Sequence, residues 1–235
     1  MEKGVKHLLE ASVKLECSME TTSRALVLYH HFMRCINEAS YDQSMVAAAA
    51  VSLASRINEQ VLDQDTILLT FFCIANKTSR VLKAEDSEFL VLKNTLVTLD
   101  YVMMRTLDFD LNHKLAHQYL VPYLHVIFSR SWKVSQFSGE ISNTCIRLIS
   151  DFYLHRTCLN YQADHIAIAC IDATLYIYGL YDEMEMIQPW YKGFCKDLDD
   201  KKIDEIQDNM FTLYEAFANE SSKEMKNVAS VAVTS

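Results

Sequence analysis

The chain has 235 residues, half of them hydrophobic, and its 22 Lys and Arg against 31 Asp and Glu leave a formal charge of −9. That balance, with no basic stripe, excludes a nucleic-acid surface, and the lack of a long uncharged apolar run excludes a membrane span. Four Gly and two Pro are too few turn punctuators for a β fold, so the chain reads as all-α.

Residues 5–16 alternate Leu8, Leu9, Val13 and Leu15 with charged side chains, which predicts a first amphipathic helix. Thr21, Thr22 and Ser23 offer an N-cap for a second helix over 24–37, with Ala25, Leu28, Tyr29, Phe32 and Ile36 on one face. The pattern breaks at 37–40. Residues 41–59 form the third helix, in which Ala47–Ala50, Val51, Leu53 and Ala54 precede a charged end at Arg56 and Glu59. Alanine favours helix and adds little bulk, so other helices can pack on it from every side. Asp63 caps a fourth helix over 64–75. A polar loop spans 76–87, and a fifth helix runs from Phe89 to about 108–111.

A sixth helical stretch, 113–130, contains Pro122, which predicts a kink or a restart. Helices follow over 140–155, 162–178, 188–195 (Pro189 in its first turn) and 202–217, the last with Ile203, Ile206, Met210, Leu213, Tyr214 and Phe217 as its stripe. Residues 219–235 show no apolar face and are expected to be a disordered tail. The count is five helices and then five. A shift of 120 residues lays Tyr41, Val46, Ala47, Ala49 and Val51 on Tyr161, Ile166, Ala167, Ala169 and Ile171, and Leu28 and Phe32 on Leu148 and Phe152. This is the pattern of a duplicated helical domain.

The seven cysteines (17, 35, 73, 145, 158, 170 and 195) form no Cys-x-x-Cys pair, and several lie in apolar runs. Neither a zinc site nor a disulfide framework is signalled, and a reducing compartment, nucleus or cytoplasm, is expected. No secretory leader is read at the N-terminus. His30 and His31 are consecutive on a helix and point apart, which argues against a metal site. His155 and His165 are expected to be hydrogen-bonded packing residues.

The run Leu53-Ala54-Ser55-Arg56-Ile57-Asn58-Glu59 closing the third helix resembles the Leu-Ala-Ser/Gly-Lys-x-Glu-Glu motif of the cyclins. So does the ending of the fifth helix, Asp100 through Leu107-Asp108-Phe109-Asp110-Leu111. The likeness covers most of residues 5–217 and is greatest to the cyclin Q branch, through Glu10–Leu15, Tyr29-His30, Tyr119-Leu120, Ser131-Trp132, Gln162-Ala163-Asp164-His165-Ile166-Ala167 and Tyr176–Gly179.

The resemblance implies two tandem five-helix cyclin boxes, residues 1–111 and 112–218, each built on a buried Ala-rich third helix. It implies a non-catalytic activating subunit that needs no cofactor or metal and forms a heterodimer with a cyclin-dependent kinase. For cyclin Q that kinase is the tenth of its series. The family's contact is a Lys–Glu pair that meets the kinase's αC helix, whose placement an active kinase requires. The matching residues here are Arg56 and Asp100; Asn58 replaces the first Glu of the motif, and Glu59 remains. Leu53, Ile57, Phe109 and Leu111 are the implied apolar contacts. No Met-Arg-Ala-Ile-Leu docking patch is present, which favours the transcription-type branch.

Two other classes stay open at this point. One is a cyclin-box adaptor without a kinase, like transcription factor IIB or the retinoblastoma pocket, although adaptors that meet DNA need a basic face. The other is an all-helical metal-dependent enzyme using Asp197, Asp199, Asp200 and Asp204, for which no second, facing acidic motif exists. The bland reading of that run is a solvated loop and an acidic helix start.

Overall fold

The computed structural model describes residues 2–36, 41–77, 82–83, 85–183 and 189–233. Among them are ten α-helices and no strand. The predicted break at 37–40, most of the loop at 78–84, the start of the 188–195 helix and the side chain of Phe217 lie outside the described residues. Two compact units emerge, Met1–Leu115 with Tyr153–Leu159, and Ala116–Phe152 with Asn160–Ser235.

In the first unit α1 (Lys3–Lys14), α2 (Met19–Cys35), α4 (Gln64–Asn76) and α5 (Ser87–Thr106) all contact α3 (Gln43–Ile57). Every side chain from Val46 to Val51 in α3 is fully buried, as is Ala54. Asp42 starts the helix by accepting the Ser44 amide at 2.7 Å, and Asp63 does the same for α4 with Thr66 at 3.0 Å. The second helix begins earlier than the sequence suggests. Ser18 caps it through the Thr21 amide, while Thr21, read as a cap, is buried inside the first turn. On α1, a Cβ placed at Gly4 would come within 2.6 Å of the Tyr29 ring, so α1 lies flush on α2 only with glycine there.

The segment Tyr153–Leu159 belongs to this first unit, and the Tyr153 carbonyl accepts the Nε2–H of the buried His30 at 3.1 Å. Burial lowers the His30 pKa to about 4, against the partial support of that hydrogen bond. His31, stacked on His113 with centroids 4.5 Å apart, is also lowered to about 4, chiefly by burial. The unfolded chain therefore binds these protons first. The stability these histidines confer is complete above pH 6.5 and is lost as the pH falls toward 4. For His30 alone the full loss is of order 3 kcal/mol. Urea unfolding at pH 7.5, 6 and 5 should show a falling midpoint, and His30→Gln should flatten it. A pH-independent midpoint would rule this out.

In the second unit α9 (Ala163–Ile177) occupies the place of α3, contacted by α6 (Ala116–Arg130), α8 (Ser138–Phe152) and α10 (Asp200–Val233); α7 (Trp132–Ser135) is a single turn beside α6. Ile166–Ile171 are buried throughout. The 120-residue repeat is visible in three dimensions: α3 and α9 are both 15 residues long and begin at positions 43 and 163. Phe32 meets Tyr41 at 5.6 Å between ring centroids, and Phe152 meets Tyr161 at 6.2 Å.

Three expectations change here. The sixth helix does not restart at Pro122 but runs on through it, with the proline on an exposed side next to the exposed Val121. The helix predicted over 188–195 is only a 3-10 turn, Trp190–Gly193. Trp190 and Tyr191 are adjacent and both buried, and a stretch so short does not recover the cost of helix nucleation. The last helix continues to Val233, through residues expected to form an unstructured tail. No Gly or Pro interrupts positions 200–235, so local propensity favours helix even without an apolar stripe.

Candidate interaction site

The last turn of α3 and the middle of α5 meet around one carboxylate. Ser52 and Arg56 are one turn apart on α3 and share a face. Asp100 on α5 is only 3% exposed, and its Oδ2 accepts from Arg56 Nη2 at 2.5 Å, Ser52 Oγ at 3.1 Å and Gln64 Nε2 at 3.3 Å. Its other oxygen, Oδ1, is buried and has no hydrogen-bond partner among the described residues. Burial raises the Asp100 pKa to about 6 against the pull of Arg56 and Ser52. At neutral pH the carboxylate is thus held ionised at a cost, which opposes the histidines in sign: it is relieved as the pH falls from 6 toward 3.8.

Of the residues implied by the sequence, the structure brings Arg56 and Asp100 together, and the Arg56 side chain stays half exposed. Ile57 and Leu111 are partly exposed, Glu59 is exposed, and Phe109 is 68% exposed. Leu53 does not belong to this surface. It is 2% exposed, four residues beyond Ala49 on the inward side of α3, and it packs the core. The sequence reading misses Ser52, Gln64 and Arg24, and takes Tyr101 as ordinary helix packing or an adaptable interface residue. Ser52 was legible as the residue one turn before Arg56. Tyr101, 62% exposed beside Asp100, was legible as an aromatic next to the acid. Gln64 opens α4, and its approach to Asp100 depends on the α3–α4 connection. Arg24, read only as a helix start, is 3% exposed beneath this surface.

The backbone at both helix ends is turned into the left-handed region at non-glycine residues, Glu59 (φ 54°) after α3 and Asp108 (φ 50°) and Phe109 (φ 59°) after α5. Closing bonds from Gln60 N to Ser55 O at 2.9 Å and from Phe109 N to Met104 O at 2.8 Å make each a Schellman-type stop. These turns direct Glu59 and Phe109 outward. A groove of about 620 Å³ elsewhere in the unit is lined by Tyr41, Met45, Val91, Asn94, Thr98 and others. Its one acid, Asp42, is occupied in capping α3, so the groove offers no catalytic pair.

In the second unit Asp164, His165 and Cys195 could offer metal-ligand atoms within 4.8 Å of one another. His165 is buried and neither ring nitrogen has a hydrogen-bond partner among the described residues, contrary to the expected hydrogen-bonded packing role. Asp164 already accepts the His165 amide at the start of α9. The acidic run is likewise occupied by structure: Asp199 caps α10 through Lys202, and Asp200 accepts the Tyr191 hydroxyl. Burial pushes the Cys145 and Cys158 thiols up to about 11 and about 12, so both stay protonated as small apolar groups.

No family model matches the sequence. Curated relatives include Cyclin pch1 of Schizosaccharomyces pombe, 21% identical over 174 residues, which are 74% of this chain and 49% of that protein. Human Cyclin-T2 is 21% identical over 72% of this chain and 22% of its own length, and chicken Cyclin-L1 is 24% identical over 72% and 31%. The chain thus spans about half, or less, of the length of these relatives. Among solved structures, the crystal structure of the yeast RNA polymerase II CTD kinase complex CTDK-1 contains a chain that matches 90% of this one and is itself 64% covered. The TM-score is 0.70 at 15% identity. The fold is therefore the all-α cyclin fold. The curated relatives named above are all cyclins, 21 to 24% identical to this chain.

Proposed function

We propose that this chain is a cyclin, the non-catalytic activating subunit of a cyclin-dependent kinase, binding the kinase N-lobe through its first unit and setting the αC helix. The observation that carries this reading is the Arg56–Asp100 pair. A carboxylate is buried with one oxygen left without a donor, beside a half-exposed guanidinium. The buried carboxylate holds the half-exposed guanidinium in place, and that guanidinium can donate to a partner's backbone carbonyls. Tyr101 on α5 and Phe109 in the turn after it are exposed and of the large aromatic kind that interface anchors use. The related fold in a CTD kinase complex supports a kinase partner, and transcription-type relatives support a nuclear site of action. On the sequence resemblance to cyclin Q, the tenth-numbered kinase of the series is the first candidate.

Co-expression with a panel of cyclin-dependent kinases should give a stoichiometric complex with one of them and raise its peptide-phosphorylating activity by orders of magnitude. If no kinase co-purifies, or a co-purified kinase gains no activity, the proposal fails.

A further inference from the structure

Arg24 lies on α2, outside the interaction surface, yet its guanidinium reaches the residue that ends α3 and the segment that leads away from α5. Its Nε donates to Asn58 Oδ1 at 2.7 Å, and its Nη1 donates to Asn112 Oδ1 and to the His113 carbonyl, both at 3.1 Å. Nη2 faces Glu20 at 3.7 Å across one helical turn. Asn58 is the residue directly after α3 and is itself tied down, its amide donating to the Thr21 hydroxyl at 3.1 Å. Asn112 and His113 directly follow Leu111. One buried side chain therefore bridges the left-handed turn at Glu59 and the segment that follows the left-handed turn at Asp108 and Phe109.

We infer that Arg24 is a positioning residue: it locks the turn after α3 to the turn after α5 and so fixes the spacing between the two halves of the interaction surface. A planar guanidinium suits this task because its fork of donors serves several acceptors in one fixed geometry. A hydrophobic residue at the same place would pack but would hold neither turn. The clamp also gives position 58 a function. Asparagine stands there instead of the motif's glutamate because one short amide both accepts from Arg24 and donates to Thr21. Both turns carry non-glycine residues at positive φ, a conformation that persists only when surrounding contacts hold it.

The inference rests on the proposed function only for its consequence in binding, and the experiment separates the two. Hydrogen exchange on the free chain is compared for wild type, Arg24→Met and Asn112→Ala. The last removes one arm of the clamp at an exposed residue and leaves the buried arginine in place. Peptides covering 57–61 and 107–113 should lose protection together in both variants, at least tenfold for Arg24→Met and less for Asn112→Ala, with α9 unchanged. Affinity for the cognate kinase should fall at least tenfold for Arg24→Met, and Arg24→Lys should restore only part of it. Non-additive binding losses for Arg24→Met combined with Phe109→Ala would mark positioning, since a general loss of stability would leave the two effects additive. If the two segments keep their protection, or if only one loosens in Arg24→Met, the clamp is overturned. If both loosen while affinity is unchanged, the positioning role is overturned and the kinase reading stands. A wild-type chain that binds no kinase overturns the functional reading, and the exchange result still decides the clamp.

Discussion

Arg56→Glu is expected to abolish activation of the partner kinase, and Arg56→Lys to retain it within a few-fold. Truncating one member of a desolvated, hydrogen-bonded charge pair at an interface costs about 2–5 kcal/mol, or roughly 30-fold to several thousand-fold in affinity. Reversing the sign adds repulsion against the ionised Asp100, 2.5 Å from the present guanidinium. Lysine keeps the charge and restores the family's residue but gives up the fork. The free protein should tolerate Arg56→Lys, whereas Arg56→Glu leaves the buried Asp100 carboxylate without its cation and should also lower the melting temperature, so affinity is compared on the folded fraction of each variant. Asp100→Asn sharpens the distinction. In the free chain it removes a buried charge whose pKa burial has raised to about 6, so thermal stability at pH 7.5 should hold or rise. In the complex it removes the charge that holds the Arg56 guanidinium in place, and affinity should fall at least tenfold. Calorimetric titration against the purified kinase, alongside thermal melts of each variant, measures both quantities. Full activation by Arg56→Glu, or unchanged affinity of Asp100→Asn, would remove the pair from the interface; a destabilised free Asp100→Asn chain would overturn the cost assigned to the buried charge.

The parts of this molecule legible in the sequence are those set by local pattern. The Ala-rich third helix, its echo 120 residues later and the charged stop at Arg56 depend on composition and period, and the structure places α3 and α9 at matching offsets. Pairing Arg56 with Asp100 required the family likeness, because 44 residues separate them and spacing alone reveals nothing at that distance. What escaped was tertiary. Leu53 is apolar and next to the charged turn, but its direction on α3 depends on which neighbours surround that helix. The helical pattern at 188–195 lost to the burial of two adjacent aromatics. Arg24 gave no signal because an arginine in a first turn is ordinarily solvated; only the approach of Asn58, Asn112 and His113 makes it a buried bridge.

The largest effect on stability is expected from Ala49→Leu. Ala49 is fully buried, and its helix is contacted by α1, α2, α4 and α5, so three added carbons have no direction in which to relax. Interiors pack at crystal-like density, and overpacking at a well-filled site costs about 1–3 kcal/mol, occasionally more. With α3 enclosed by four helices the upper end applies. At roughly 2–4 °C per kcal/mol for a chain of this size, the melting temperature should fall by about 6–12 °C. Ala167→Leu, the repeat-related change in α9, meets three neighbouring helices and should cost less. Val61→Ala, at a side chain 98% exposed, should be neutral within about 0.5 kcal/mol. Hydrogen exchange should place the damage of each alanine variant in its own unit: residues 43–57 for the first, 163–177 for the second. A leucine at position 49 accepted without loss would mean that α3 has an unfilled side. The central role given to its alanines would then have to pass to the larger side chains around it, Phe32 and Phe71 first.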